Sequence, residues 1–335
     1  MMQLNSSLCL IALASVLVVD VQAADLRQGH ELLEEGRTAE AIEYFEIRVD
    51  QLEENAEARY WLARSLLAAD RPDEARDLFK DLAARDPSNG DLYYWVGRSY
   101  IDELQEASFM KQSLLAPRAK ANYERAIEID PDHLGARIGL GQYYLNAPSI
   151  AGGSISKAKE QADAAVALAP LEGRLLLAEI LREEEEWEHA IDNATALTAL
   201  EPDNPAHHYR LGRLHQDRQE WGPAFDSFQR SVDVDPDHAL SWYQLGRTGA
   251  LSGEQLGRAQ EALEEFIARF GEDEAIHAAY HAGAQWRLGM VLEQQGALPA
   301  AAVAYREAID LAPTPDAVER AEKALAALEP RMAAE

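Results

Sequence analysis

Small, ring-bearing and apolar positions return along this chain at a fixed interval. Tyr60 and Arg64 are followed 34 residues later by Tyr94 and Arg98, and Tyr209 and Arg213 are followed 34 residues later by Tyr243 and Arg247. An alanine stands 12 residues before each of Pro87, Pro131, Pro170, Pro202, Pro236 and Pro313, giving Ala75, Ala119, Ala158, Ala190, Ala224 and Ala301. Ala41 and Ala262 extend the series without a proline. Twelve residues upstream of most of these alanines is a second small residue: Gly29, Ala63, Ala178, Gly212 or Gly289, with Gly97, Gly141 and Gly246 joining once insertions are allowed. Four residues downstream there is commonly a ring: Phe45, Phe79, Tyr123, Phe228, Phe266 or Tyr305.

Packing explains such a pattern. Proline restricts the residue before it and cannot continue a helix behind it, so each marks a stop. Two antiparallel helices that cross closely need a small residue on each, and a large ring beside the crossing fills the groove. One such pair cannot bury its apolar face alone, so neighbouring pairs stack. Small residue, alanine, ring and proline within 34 residues resemble the tetratricopeptide repeat (TPR). The resemblance implies an all-α fold: an α-solenoid, a right-handed superhelix of about eight TPR helix pairs. The registers are 22–55, 56–89, 90–133, 134–170, 171–204, 205–238, 239–281 and 282–315. Residues 316–335 form a C-terminal capping helix and tail, with Val318, Ala321, Leu325 and Leu328 on one face, Thr314 as N-cap and Pro315 in the first turn. Repeat 1 is the weakest copy, with Gln28 where other copies carry Leu or Val.

Two copies are interrupted. Repeat 3 carries about ten extra residues within "DELQEASFMKQSLLAPRAK" and repeat 4 about five within "NAPSIAGGSISKA". Both insertions fall between the helices of their unit, so both are expected as loops side by side on one edge. Phe109, Lys111, Gly152, Gly153 and Ser154 are the edge-loop candidates. "AGGSISK" lacks the Gly-Lys-Ser/Thr ending of a phosphate loop and follows no strand, which excludes nucleotide binding. A simpler reading is a tight turn at Gly152 and Gly153 with Ser154 or Ser156 capping the next helix. "YYLNAPSIAGGSISKAKEQ" and "EASFMKQ" are similar to segments of a bacterial exported TPR subgroup. Repeat 7 is enlarged too, and its second helix registers on either Ala259 or Ala262.

The Tyr–Arg pairs fall at the fifth and ninth positions of the unit, on one helix face. The resemblance implies that this face lines a concave groove for extended or helical peptides. Its candidates are Tyr60, Arg64, Tyr94, Arg98, Tyr209, Arg213, Tyr243, Arg247 and Trp286. The same positions elsewhere read Ile138 and Gln142, Leu175 and Glu179, and Trp286 and Met290. Arginine forks match carboxylates and tyrosine offers a rigid amphipathic surface, so the expected partner is a protein or peptide, acidic or carboxylate-ended. The competing reading is packing: Asp102 and Asp217 lie four residues after Arg98 and Arg213, and Tyr and Arg can stack on each other. The Asn and Lys that serve the best-known carboxylate-binding TPR domains are missing from these positions, so that specificity does not transfer.

Charge and composition narrow the field. The chain has 59 acidic and 31 basic residues, a net charge of −28, which repels nucleic-acid backbones. Its 47% apolar content excludes a disordered acidic chain. Residues 1–23 read as a signal peptide: Leu8 to Val19 is an apolar run too short to span a bilayer, followed by Val21 and Ala23 before a cut. No basic residue precedes the run, and Asp20 follows it. The expected location is periplasmic or secreted, with no membrane span after cleavage. The single cysteine, Cys9, would leave with this segment, removing thiol chemistry from the mature chain.

No cofactor, catalytic residue or metal site is expected. His277 and His281 have helical metal-ligand spacing but no third ligand placed by sequence. His208 and His215 read as packing residues, and Glu183 to Glu186 as a solvated helix end. The expectation is therefore a non-enzymatic exported scaffold, serving envelope assembly or secretion. The alternative is a periplasmic carrier of a small acidic ligand or metal, using an enclosed polar pocket at residues 106–118 and 148–156.

Overall fold

A computed structural model describes residues 26–51, 55–104, 107–184, 186–271 and 278–333. The described residues contain no strand. The helices in chain order are α1 (26–34), α2 (Thr38–Gln51), α3 (Ala56–Ala68), α4 (Pro72–Arg85), α5 (Gly90–Leu104), α6 (Phe109–Ile129) and α7 (Leu134–Asn146). A 3-10 turn (Ser149–Ala151) precedes α8 (Ile155–Leu168), α9 (Pro170–Glu184), α10 (Trp187–Leu200), α11 (Pro205–Asp217) and α12 (Trp221–Val234). Then come α13 (Ala239–Ser252), α14 (Leu256–Phe270), α15 (Ala278–Gln294), α16 (Leu298–Leu311) and α17 (Pro315–Met332). The chain divides into two compact units between Leu176 and Leu177.

The prolines act as stops with a constant offset. Helices α4, α6, α8, α10, α12 and α16 end two residues before Pro87, Pro131, Pro170, Pro202, Pro236 and Pro313. Where the intervening residue is aspartate, its side chain starts the turn. Asp86 Oδ1 accepts the N–H of Ser88, Asp130 Oδ1 that of Asp132, and Asp235 Oδ1 that of Asp237. This accounts for Asp in "RDPSN", "IDPDH" and "VDPDH", a role the repeat pattern alone did not disclose.

In the first unit α3 packs on α2 and α4, and α5 on α4, α6 and α7. Short turns between packed neighbours make them antiparallel. In the second unit the same serial packing runs from α10 to α17, which closes the series on α16. Seven of the eight marker alanines are fully buried: Ala41, Ala75, Ala119, Ala158, Ala224, Ala262 and Ala301. All six marker rings are buried with them. The glycine twelve residues ahead makes room for the ring. A Cβ on Gly29, Gly97, Gly212 or Gly289 would stand 2.4, 2.8, 2.8 and 2.5 Å from the ring of Phe45, Tyr123, Phe228 and Tyr305 respectively. Ala262 and Ala259 are both buried in α14, and Gly246 meets Leu263, four residues after Ala259, the contact that the marker ring makes in the other repeats, so the crossing of repeat 7 follows the Ala259 register.

The eighth alanine differs. Ala190 and its partner Ala178 are only half-buried, and both border a pocket of about 260 Å³ with Leu181, Trp187 and Leu214. In α17, Ala321 and Leu328 are buried and Leu325 packs on the last core, while Thr314 Oγ1 accepts the Ala317 N–H at 3.4 Å.

The interruption of repeat 3 is not a loop. Ala75 is the fourth residue of α4, whereas Ala119 is the eleventh of α6, so the extra residues add about two turns to the helix's N-terminal end. Met, Lys, Gln, Leu and Ala favour this extension. Pro117 lies inside it, leaving the Ser113 carbonyl without its helical donor. The insertion in repeat 4 does stay irregular. Gly152 takes φ +89°, and a Cβ on Gly153 would lie 1.7 Å from the Ala147 carbonyl oxygen. Ser154 then caps α8 by accepting the Lys157 N–H.

Candidate functional site

Lengthening α6 and looping 147–153 reshape the surface of a single repeat pair. Along α5 and α7, the outward positions are Tyr94, Arg98 and Ile101, and Ile138, Gln142 and Asn146. The added turns of α6 supply Gln112, Ser113 and Ala116 as a wall, and Pro148, Ile150 and Ala151 form the rim opposite. Together they enclose an open cleft of about 890 Å³ whose lining is mainly carbon. Its floor is shaped by rings over glycines: a Cβ on Gly135 would meet Tyr94 at 2.9 Å, and one on Gly139 would meet Tyr123 at 2.7 Å. Ile150 is 98% exposed, and on the flank of α6 Met110 is 80% and Leu114 63% exposed. Scattered apolar side chains on a surface are ordinary, but Ile150 stands at the rim of an apolar cleft, which marks a contact surface. The hollow at these insertions is therefore apolar and open, unlike the enclosed polar pocket a small acidic ligand requires.

The ion pair in the cleft is internal. Arg98 Nε donates to Asp102 Oδ1 at 2.8 Å, the neutralisation expected from their spacing. Burial would lower the Arg98 pKa, but the bond and charge of Asp102 outweigh it and raise it. Lys111 turns away to Glu103 at 2.6 Å, and Arg76 shares that carboxylate. The Phe109 side chain lies outside the described part of the structure.

The other Tyr–Arg pairs are built into the repeat packing. Arg64 Nη1 donates to Tyr60 Oη at 3.4 Å, but its guanidinium stacks more closely on Trp95 of the next pair, 3.8 Å from the ring centroid. Tyr60 Oη and Trp95 Nε1 both donate to Asp91 Oδ2, at 2.9 and 3.1 Å. Burial would raise the Asp91 pKa. Hydrogen bonds from His133, Tyr60 and Trp95 outweigh it and hold the carboxyl below its ordinary 3.8.

In the second unit Tyr243 is buried between Phe266 and Tyr280, and burial pushes its hydroxyl pKa up. Arg247 Nη1 donates to Gln216 and Gln244, in a buried network completed by Thr248. The Trp286 ring lies between Arg287 and Arg320, with its Nε1 buried and unbonded. Tyr209 rests on Phe228 and His238. Arg213 differs from the others. Its Nε is buried without a hydrogen-bond partner, and it borders the 260 Å³ pocket with Arg210, Arg182, Glu179 and Asp217. The sequence placed Arg213 in a row of four, but could not single it out, because its surroundings depend on the loose Ala178–Ala190 crossing.

Of the histidines, His215 Nδ1 is 2.7 Å from Glu220 and His208 Nε2 is 2.8 Å from the Pro202 carbonyl, both packing roles. His277 lies outside the described residues, as do residues 1–25 with Cys9 and the expected signal. The Glu183–Glu185 side chains are likewise not described, and Glu186 pairs with His189. Among the described residues no three His, Cys, Asp or Glu side chains converge to hold a metal ion, and no helix is long and apolar enough to cross a membrane.

Family models described as tetratricopeptide repeat match residues 32–99, 175–239 and 248–315, together more than half of the chain. The unmatched middle contains both insertions and most of the cleft, all but Tyr94 and Arg98. Among solved structures, a thermophilic TPR protein of Thermus thermophilus shares 19% identity, covering 68% of this chain and 97% of its own, with a TM-score of 0.40. The C-terminal part of a TPR repeat-containing protein of Cytophaga hutchinsonii shares 16% identity, covering 90% and 99%, with a TM-score of 0.47. No curated protein matches.

Proposed function

Because the chain belongs to the tetratricopeptide repeat family, a family of protein-binding modules, we propose that it is a non-enzymatic scaffold that captures segments of other proteins. The capture site in this reading is the cleft between α5, the extended α6 and α7. The observation that carries it is the combination of an 890 Å³ apolar hollow with the fully exposed Ile150 at its rim. Binding sites are concave, mostly apolar and marked by a few polar groups, here Arg98, Asp102 and Gln142. The apolar run at residues 8–19 and the small residues before Ala24 support export, and with it work in the cell envelope, such as assembly or secretion.

The test is site-specific photo-crosslinking. A photoreactive residue in place of Gln142, in cells expressing the full chain, is expected to yield covalent protein adducts that disappear when Ile138→Asp is added. Adducts that persist with Ile138→Asp, or a crosslinker that traps no protein, would count against the cleft. N-terminal sequencing of the envelope fraction is expected to begin at Ala24; an intact Met1 there would remove the export claim.

A second reading rests on Arg213. An unbonded buried guanidinium nitrogen beside Arg210, under Trp187, suits a carboxylate carried on an apolar group. In this reading the acidic or carboxylate-ended partner is held in the second unit, and Arg213→Met would weaken a carboxylate-ended peptide while leaving its amidated form unaffected.

A further inference from the structure

The cleft does not end at the apolar floor. Gly135 borders both it and a second, shallow hollow at the start of α7, and Tyr94 in the cleft packs on His133 in the hollow with ring centroids 5.0 Å apart. This end is acidic: Asp86, Asp91, Asp130 and Asp132 line it. Asp91 is taken up by Tyr60, Trp95 and His133, and remains charged. His133 Nδ1 accepts the Ala136 N–H at 3.2 Å, and its Nε2 faces Asp91 Oδ1 at 3.6 Å.

The other three aspartates differ. Asp86 and Asp130 each use one carboxylate oxygen to cap a turn, and neither they nor Asp132 make an ion pair among the described residues. The matching turn of the second unit shows what pairing looks like. There Arg269 bonds both the Pro236 carbonyl and the Asp237 carboxylate, neutralising the turn. At the first unit's turn Arg137 takes the place of Trp242, which bonds the Pro236 carbonyl; Arg137 bonds the Pro131 carbonyl at 2.7 Å, the rest of its fork goes to Gln161 on α8, and Asp132 makes no ion pair among the described residues. In a chain of net charge −28, this end draws cations and repels carboxylates.

We infer that the cleft takes a short protein segment of a definite polarity: apolar side chains along α7, followed by lysine or arginine at the acidic end. This deepens the proposed capture site and rests on it. Helix α7 has 13 residues and spans about 20 Å, which an extended chain covers in about six residues. Apolar side chains occupy the stretch between Gly135 and Ile150, where the Arg98–Asp102 pair presents no net charge. The basic residue lies beyond Tyr94, over Asp86, Asp130 and Asp132. The acidic partner expected from the Tyr–Arg row does not suit this end of the cleft.

The test uses three labelled synthetic hexapeptides, each with four alternating leucines and alanines followed by two lysines, two serines or two glutamates. Fluorescence anisotropy is measured on the full chain at low and high salt. The lysine peptide is expected to bind at least about tenfold tighter than the glutamate peptide at low salt, with the margin shrinking as ions screen it. Asp86→Asn, Asp130→Asn and Asp132→Asn together keep the turn-capping acceptors. They are expected to bring the lysine peptide to the serine peptide's affinity and leave the latter unchanged. Ile138→Asp is expected to weaken all three peptides. Equal binding of lysine and serine peptides, with Ile138→Asp still weakening both, overturns the charge inference and leaves the capture site standing. Tighter glutamate binding overturns the inference in favour of an acidic partner. Failure of all three peptides, or indifference to Ile138→Asp, overturns inference and capture site together.

Discussion

Helix pairs α3–α4 and α5–α6 follow one packing rule and end with different surfaces. In the first, Ala75 lies four residues into its helix, Phe79 is fully buried, and the face is closed by Trp95 and Arg64. In the second, Ala119 and Tyr123 pack the same way beneath Gly97, but seven further residues precede the alanine. Those residues are not needed for the crossing, and they wall the cleft. A second contrast lies in the other unit, where Ala224 is fully buried at its crossing while Ala190 remains half-buried beside a pocket. In both cases the repeat supplies a rigid pair, and a departure from the repeat supplies the opening.

The largest expected effect comes from the part that the regular and irregular pairs share. Phe79→Ala should cost about 3–5 kcal/mol in urea unfolding, the range for removing a fully buried ring. A loss below about 1 kcal/mol would mean that the ring does not hold the crossing. Gly289→Leu should cost about 1–3 kcal/mol by overpacking, because a side chain there enters the Tyr305 ring.

The contrast between crossings can be sharpened by adding the same side chain to each. Ala224→Leu should destabilise by about 1–3 kcal/mol, and Ala190→Leu by less than about 1 kcal/mol, since it can grow into the pocket. Equal costs would show that the second crossing closes in solution.

The repeat pattern made the helices, their ends and their closest contacts legible, because small-residue and ring positions respond to sterics that act within about 34 residues. The cleft was less so. The repeat 3 insertion read as a loop, but α6 runs through it, Pro117 included, because Met110, Lys111, Gln112, Leu114, Leu115 and Ala116 are good helix formers. Ile138 and Gln142 were visible as exceptions in the Tyr–Arg row, but their joining with Ile150 depends on where the inserted turn lands. The arginines could be aligned but not told apart. Two of them take partners from another repeat, Trp95 for Arg64 and Gln216 for Arg247, while Arg98 pairs within its own helix.

A smaller effect concerns acid. The Asp91 carboxyl is held below its ordinary value in the folded chain, so it contributes stability that is complete above that value and is lost as pH falls through the lower, folded one. Asp91→Asn should therefore flatten the decline in thermal midpoint below pH 3.8, and an unchanged slope would remove Asp91 from that decline. The smallest effect is expected at Arg98→Gln, which breaks a half-exposed ion pair and should cost no more than about 1 kcal/mol.

The most direct measurement is amide hydrogen exchange of the full chain with and without the lysine-ended hexapeptide. The account predicts added protection in α5, the first turns of α6 and α7, with α11 to α17 unchanged. Protection that appears only outside α5 to α7 would contradict it.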